Sequence, residues 1–228
     1  MTFQEFKEHL KVSFTNDALL EQAFIHRSYI NENPRTGFSH NERLEFLGDA
    51  VLELVVTEYL YSKFPQHNEG DLTAYRSALV NAVTLGQIAK DLHFNDMLKL
   101  SKGEAKDITR ARSSILADAY EAFVGALYLD QGYNASKDFI AHSLLVKTDE
   151  IIKKGLYKDA KSFVQEKSQE RFGVTPSYKV LREEGPDHDK IFSVGIYFGD
   201  SMIAEGEGKS KQEAETKAAR NALDKNGW

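Results

Sequence analysis

From Ile115 to Leu129 the chain reads Ile-Leu-Ala-Asp-Ala-Tyr-Glu-Ala-Phe-Val-Gly-Ala-Leu-Tyr-Leu, apolar nearly all the way round a helix. A helix without a polar face is stable only when other elements cover it, so this run predicts a buried central helix. Two residues do not belong in such a place. Asp118 and Glu121 stand at i, i+3, and the segment from Ser113 to Leu129 contains no Lys or Arg to pair with them. Carboxylates are almost never fully buried unless paired or bound to metal.

A second segment, His40-Asn41-Glu42-Arg43-Leu44-Glu45-Phe46-Leu47-Gly48-Asp49-Ala50-Val51-Leu52, repeats the pattern. Glu42, Glu45 and Asp49 are spaced i, i+3, i+7, which at about 100° per residue gathers them in one stripe roughly 60° wide. Leu44, Leu47, Val51, Leu54 and Val55 mark the opposite, core-facing side. Like charges one turn apart cost a helix a few tenths of a kcal/mol each. The stripe therefore either faces bulk water or holds a cation. Arg43 is the only Lys or Arg between Glu42 and Asp49, and it points off the stripe. If two such helices bring four carboxylates together, an all-oxygen ligand set favours a hard cation, Mg²⁺ or Mn²⁺.

The 228 residues suffice for one large or two small domains. With no cysteine, neither disulfides nor thiolate metal sites arise, which suits a reducing cytoplasm. The start, Met1-Thr2-Phe3-Gln4-Glu5-Phe6-Lys7, lacks the apolar stretch of a signal peptide, and no apolar run approaches a membrane span. The expectation is a cytoplasmic protein without a membrane partner. A net charge of −6 argues against a nucleic-acid partner only at the global level, because local patches decide binding.

Helical spacing covers Phe3–Leu10, Asp17–Ala23, Glu42–Phe64, Asp71–Asp91, Ser113–Leu129 and Asn134–Val146, with loops at Pro34/Gly37 and Pro65/Gly70. A short linker is expected at 150–157, dividing the chain into 1–149 and 158–228. Beyond it the order is helix (Asp159–Arg171), three strands (Tyr178–Glu184, Lys190–Phe198, Met202–Glu207) and helix (Ser210–Asp224). Phe192, Val194, Ile196 and Phe198 alternate with Ser193, Gly195 and Tyr197, the period of a half-buried strand. The last helix turns Ala214, Ala218, Ala219, Ala222 and Leu223 inward, small enough to lie close on a sheet.

Ser210-Lys211-Gln212-Glu213 fits a capping box, flanked by Lys209 and Lys211. Free N–H groups, the positive dipole end and two lysines make either a phosphate site or an ordinary capped helix with solvated lysines. Residues 155–228 hold 12 Lys and Arg against 13 Asp and Glu, so phosphate binding there rests on a local patch.

These residues carry a resemblance. Asn41 to Leu52 resembles the hallmark segment of the ribonuclease III family, Asp118-Ala119-Tyr120-Glu121-Ala122 its second acidic motif and Glu69-Gly70-Asp71-Leu72 a third. The C-terminal part is similar to a double-stranded-RNA-binding domain, with Gly185-Pro186-Asp187-His188 and Gly206 to Ala214 in the usual places. The resemblance implies an all-α endonuclease domain (1–149) that forms a homodimer, followed by an α-β-β-β-α double-stranded-RNA-binding domain (158–228). It implies metal-dependent hydrolysis of both strands of duplex RNA, leaving 5′-phosphates and short 3′ overhangs, in the processing of ribosomal RNA precursors and messenger RNA. Glu45, Asp49, Asp118 and Glu121 would ligate Mg²⁺ or Mn²⁺, with Asp49 and Glu121 most critical to cleavage. Glu42 and Glu69 match acidic positions of the cleavage valley. Gln165, Gln169 and His188 match contacts to RNA minor grooves, and Lys209, Ser210 and Lys211 match a phosphate clamp. Such domains span about 16 base pairs, because A-form RNA is accessible in its minor grooves and not in its narrow major groove. No nucleotide cofactor is implied. A di-iron or di-manganese bundle needs Glu-x-x-His pairs, which His67, His93 and His142 do not make. A non-catalytic duplex-RNA binder that retains the fold is the alternative, although such a chain is expected to have lost an acidic ligand and all four are present.

Overall fold

Apolar residues recurring at helical spacing, with a capping side chain at most starts, make the first part of the chain a succession of helices. They are α1 (Phe3–Leu10), α2 (Asp17–Ala23), α3 (Arg27–Glu32), α4 (Glu42–Lys63), α5 (Glu69–Leu79), α6 (Ala82–Asp91), α7 (Lys102–Lys106), α8 (Arg110–Ser143) and α9 (Thr148–Lys153). The computed structural model describes residues 1–106, 110–153, 155, 157, 159–186 and 190–228. It divides into two compact units, Met1–Asp149 and Glu150–Trp228.

Thr2, Asn16, Asn68 and Asn81 each accept a first-turn N–H. Asn81 also breaks the single helix expected over Asp71–Asp91. Its Nδ2 donates to the carbonyls of Ser77 and Ala78 at 3.1 and 2.8 Å, closing α5, while its Oδ1 accepts from Val83 and Thr84, opening α6. The helix α3 is not apparent from periodicity. It has only six residues, none of them buried. The two segments expected at Ser113–Leu129 and Asn134–Val146 run together as α8, with non-helical backbone at Gly132 (φ 80°, ψ −175°), a conformation that glycine adopts without cost. The expected linker begins in helical conformation, within α9, and its residues 154 and 156 lie outside those described.

The expected central helix is α8. Leu116, Ala117, Ala119, Tyr120, Ala122, Phe123, Val124, Ala126 and Leu127 are all buried. Phe123 packs edge-on or tilted against Phe6, Phe24 and Phe94, an aromatic nucleus fed by α1, the end of α2 and the segment after α6. Leu44, Val51 and Val55 of α4 face this core with Leu52, Val56 and Leu60. Leu54, expected among them, is 52% exposed, because the buried side of α4 is rotated toward Leu52 and Val56.

Glycine sets the distance between α4 and α8. A Cβ on Gly48 would stand 1.8 Å from the backbone oxygen of Glu121, and one on Gly125 would stand 2.2 Å from that of Leu44. Neither position tolerates a side chain, so the two backbones touch there.

In the second unit α10 (Ala160–Phe172) precedes β1 (Ser177–Glu184), β2 (Ile191–Phe198), β3 (Ser201–Gly208) and α11 (Lys211–Asn226). The sheet is antiparallel in the order β1-β2-β3. Val164 of α10, Ile196 of β2 and Ala218, Ala219, Ala222 and Leu223 of α11 form the core. The close approach expected of the small residues is extreme at Gly206, where a Cβ would lie 2.2 Å from the Ala218 nitrogen.

Candidate metal centre and nucleic-acid interface

The contact at Gly48 and Gly125 has a direct consequence for charge. Gly48 lies between Glu45 and Asp49 in sequence and presses on the backbone of Glu121, so the acidic stripe of α4 comes alongside Asp118 and Glu121 of α8. Glu45, Asp118 and Glu121 are half-buried and Asp49 is exposed. Burial, and then the negative charges of Asp49, Asp118, Glu45 and Glu53, push the Glu121 carboxyl up to about 8. Burial, and then Asp118, Glu42 and Asp49, push Glu45 up to about 7. Burial raises Asp118 as well, opposed by the imidazole of His26. Glu121 and Glu45 thus feel the charges of their acidic neighbours, and none of the four carboxylates has an ion pair among the described residues. Carboxyls raised in this way with no ion pair mark a candidate site for a cation.

The donor chemistry fits a hard divalent ion. Among the described residues no group of three or more Asp, Glu, His or Cys side chains is placed to hold a metal ion. An open set of carboxylates suits Mg²⁺, which keeps several waters and takes only one or two protein carboxylates directly together with substrate phosphates.

Glu42 and Glu69 are placed differently. Glu42 is exposed at the start of α4 and pairs with Arg27 at 3.3 Å and His40 at 3.7 Å. The scarcity of cations read from the acidic segment is thus relieved for Glu42 by a residue of α3. Glu69 opens α5 and lines a separate cavity of about 440 Å³ with Thr57, His67 and Arg76. Glu53, which the motif leaves aside, contributes its charge to Glu121. Sequence reasoning passed over Gly48, Gly125 and His26. The signal for the glycines was there to read, since glycine in a helix interior costs about 1 kcal/mol relative to alanine and calls for a packing reason. Nothing local marks His26.

In the second unit Gln165 and Gln169 are exposed one turn apart on α10, and Gln169 donates to Thr175 Oγ1 at 3.2 Å. Ser210 caps α11, accepting from the Glu213 N–H at 3.1 Å. The carboxylate of Glu213 takes the Lys209 N–H at 3.0 Å, one residue before the reciprocal partner that a capping box expects. Lys211 sits over the Phe192 ring and pairs with Glu183 at 3.1 Å. Lys209, Ser210 and Lys211 are all exposed at this N-terminus. His188 lies outside the described residues, with Asp187 and Asp189.

Residues 16–148 match the family model described as ribonuclease-III-like, and residues 160–226 match the double-stranded RNA binding motif. Ribonuclease 3 of Enterococcus faecalis is 46% identical over 222 residues, covering 96% of this chain and 95% of that protein. Ribonuclease 3 of Borreliella burgdorferi is 43% identical over 219 residues, covering 96% and 89%. Among solved structures, the nuclease domain of ribonuclease III from Campylobacter jejuni superposes with a TM-score of 0.57 at 38% identity, covering 64% of this chain and 96% of that one; that structure concerns flexibility in the region involved in dimer formation.

Proposed function

The chain belongs to the ribonuclease III family and is a double-strand-specific endoribonuclease, and on that premise we propose that Glu45, Asp49, Asp118 and Glu121 form its cleavage centre. The family is one of nucleases that need a divalent metal. The observation that carries the assignment is the backbone contact of Gly48 with Glu121. It brings the acidic stripe of α4 against Asp118 and Glu121, where burial and neighbouring carboxylates raise Glu121 and Glu45.

A divalent cation, Mg²⁺ or in its place Mn²⁺, would supply an acidified water and neutralise the leaving 3′ oxygen when held there. The protein's part is placement. Asp49, the most exposed of the four, and Glu121, anchored where the helices touch, would hold the ion beside the scissile phosphate. Asp118 and Glu45 would complete the ligand set from either helix. No side chain serves as a covalent nucleophile, and the products carry 5′-phosphates. Glu42, already engaged with Arg27, and Glu69, on its own cavity, act at the margin of the RNA path.

The second unit grips the duplex without reading sequence. Gln165 and Gln169 offer both donor and acceptor groups to 2′-hydroxyls. Lys209, Ser210 and Lys211 offer a helix N-terminus with full charges to phosphates. Leaving its exposed pair with Glu183 costs Lys211 little, about 0–1 kcal/mol.

Two copies of the first unit cut the two strands, giving staggered ends. Phe46 (82% exposed), Leu54 (52%) and Tyr61 (74%) form an apolar stripe on α4 beside the acidic one, and a second copy is the occupant proposed for it. Among the described residues no helix is long and apolar enough to cross a membrane. Precursor ribosomal RNA and messenger RNA in the cytoplasm are the proposed substrates.

The test is cleavage of a long RNA duplex in Mg²⁺ and in EDTA. Glu121→Ala should abolish cutting in Mg²⁺ while a gel-shift shows binding intact. Normal cutting by that variant refutes the assignment.

A further inference from the structure

The start of α11 carries an anion of its own. Glu183 of β1 stands opposite Phe192 of β2, so the two side chains share a face of the sheet. It is the face of Ile196, which lies in the core with α11. From the first turn of α11, Lys211 extends over the Phe192 ring, its Nζ 5.6 Å from the centroid, and meets the Glu183 carboxylate at 3.1 Å. Lys190, just before β2, approaches the same carboxylate at 3.8 Å and helps to fix it beside Lys211. The next residue, Glu184, stands opposite Ile191 on the other face and lies 3.8 Å from Arg182 instead. Glu183 and Lys211 are both exposed, so a ligand reaches their contact from solvent.

A phosphate that approaches Lys211 finds the ammonium already engaged by a carboxylate. Held on the same ammonium, phosphate and carboxylate are like charges a few ångströms apart, and they repel. We propose that Glu183 is an internal competitor of RNA phosphate: it holds Lys211 while the protein is free, and so weakens the grip of this unit on duplex RNA. This rests on the reading of Lys209, Ser210 and Lys211 as the phosphate-binding group. The pair is exposed and salt screens it, so the effect is modest, about 3- to 10-fold in affinity at low ionic strength.

The test is fluorescence anisotropy of a labelled RNA duplex bound by the full-length protein in EDTA, where no metal-dependent cutting intervenes. Glu183→Gln keeps the shape of the side chain and removes its charge. Duplex binding by this variant should tighten about 3-fold or more at about 50 mM salt, and the gain should fade toward about 200 mM, steepening the log–log slope. Glu184→Gln makes the same change in net charge on the other face of the strand and should stay within about twofold of the parent. In a Lys211→Ala background the Glu183 substitution should gain less than about twofold, which assigns the effect to the pair. A smaller gain from Glu183→Gln than about 3-fold, an equal gain from Glu184→Gln, or a gain undiminished without Lys211 overturns the proposal. Should Glu183→Gln melt below the parent, Glu183→Thr, a neutral residue suited to a strand, decides by the same criteria. If Lys211→Ala alone binds duplex as the parent does, the phosphate reading of Lys211 fails and this inference with it. If Lys211→Ala binds more weakly while Glu183→Gln binds as the parent does, this inference alone is lost.

Discussion

A carboxyl that loses its proton only near pH 8, as Glu121 does, sits in a folded protein that pays for charge it has not yet neutralised. In the folded state Glu121 and Glu45 titrate at about 8 and about 7, against an ordinary value of 4.5. Between those limits the folded chain binds more protons than the unfolded one, so stability falls as pH rises from about 4.5 to about 8 and levels off above. Scanning calorimetry in EDTA should show the midpoint dropping across this window relative to a Glu45→Gln, Glu121→Gln double variant, whose own curve lacks that component. The variant should be the more stable protein at pH 8 and inactive, the usual trade between a strained site and function. Added Mn²⁺ should restore the parent at high pH and do little at low pH, because protons then compete for the same oxygens. A parent and a variant that melt in parallel across the range would mean the carboxylates do not feel one another.

At the scale of elements, the site depends on how closely two helices pass. Replacing Gly48 by alanine drives a methyl into the Glu121 carbonyl, for which α4 and α8 must separate. Overpacking of this kind costs about 1–3 kcal/mol, and the carboxylates separate with the backbones. Urea denaturation should register the destabilisation with an unchanged m-value, and Mn²⁺ affinity should fall with it. An alanine variant as stable and as active as the parent would show that the helices are not held by this contact. The same device recurs at Gly206 under α11, where it places a helix against a sheet.

For the whole molecule the question is what the two units meet. Lys209→Ala with Lys211→Ala should weaken duplex-RNA binding and flatten its salt dependence by about two in the log–log slope, one for each phosphate that a lysine no longer neutralises. A slope unchanged in filter binding between low and moderate salt would place the phosphate-binding groups elsewhere. Phe46→Glu should turn a dimer at micromolar concentration into a monomer by sedimentation, with double-strand cutting abolished and the fold retained, since Phe46 is outside the core. A variant that still sediments as a dimer would assign the apolar stripe of α4 no role in self-association.

Much of this molecule is determined by local pattern. The buried α8 follows from an apolar run with no polar face, α4 from its heptad-like spacing, and the second unit from period-two alternation in β2 and a capped, alanine-lined α11. The candidate carboxylates stand out for the same reason, since charge without a cation beside an apolar helix face is conspicuous in one dimension. The break at Asn81, the exposure of Leu54 and the pairing of Glu42 with Arg27 were not legible. Each depends on residues distant in sequence meeting through a packing arrangement, and periodicity carries no record of which face meets which neighbour. Spacing along one helix told which side chains share a stripe; only the touching of Gly48 and Gly125 with the opposite backbone decided that the two stripes lie side by side.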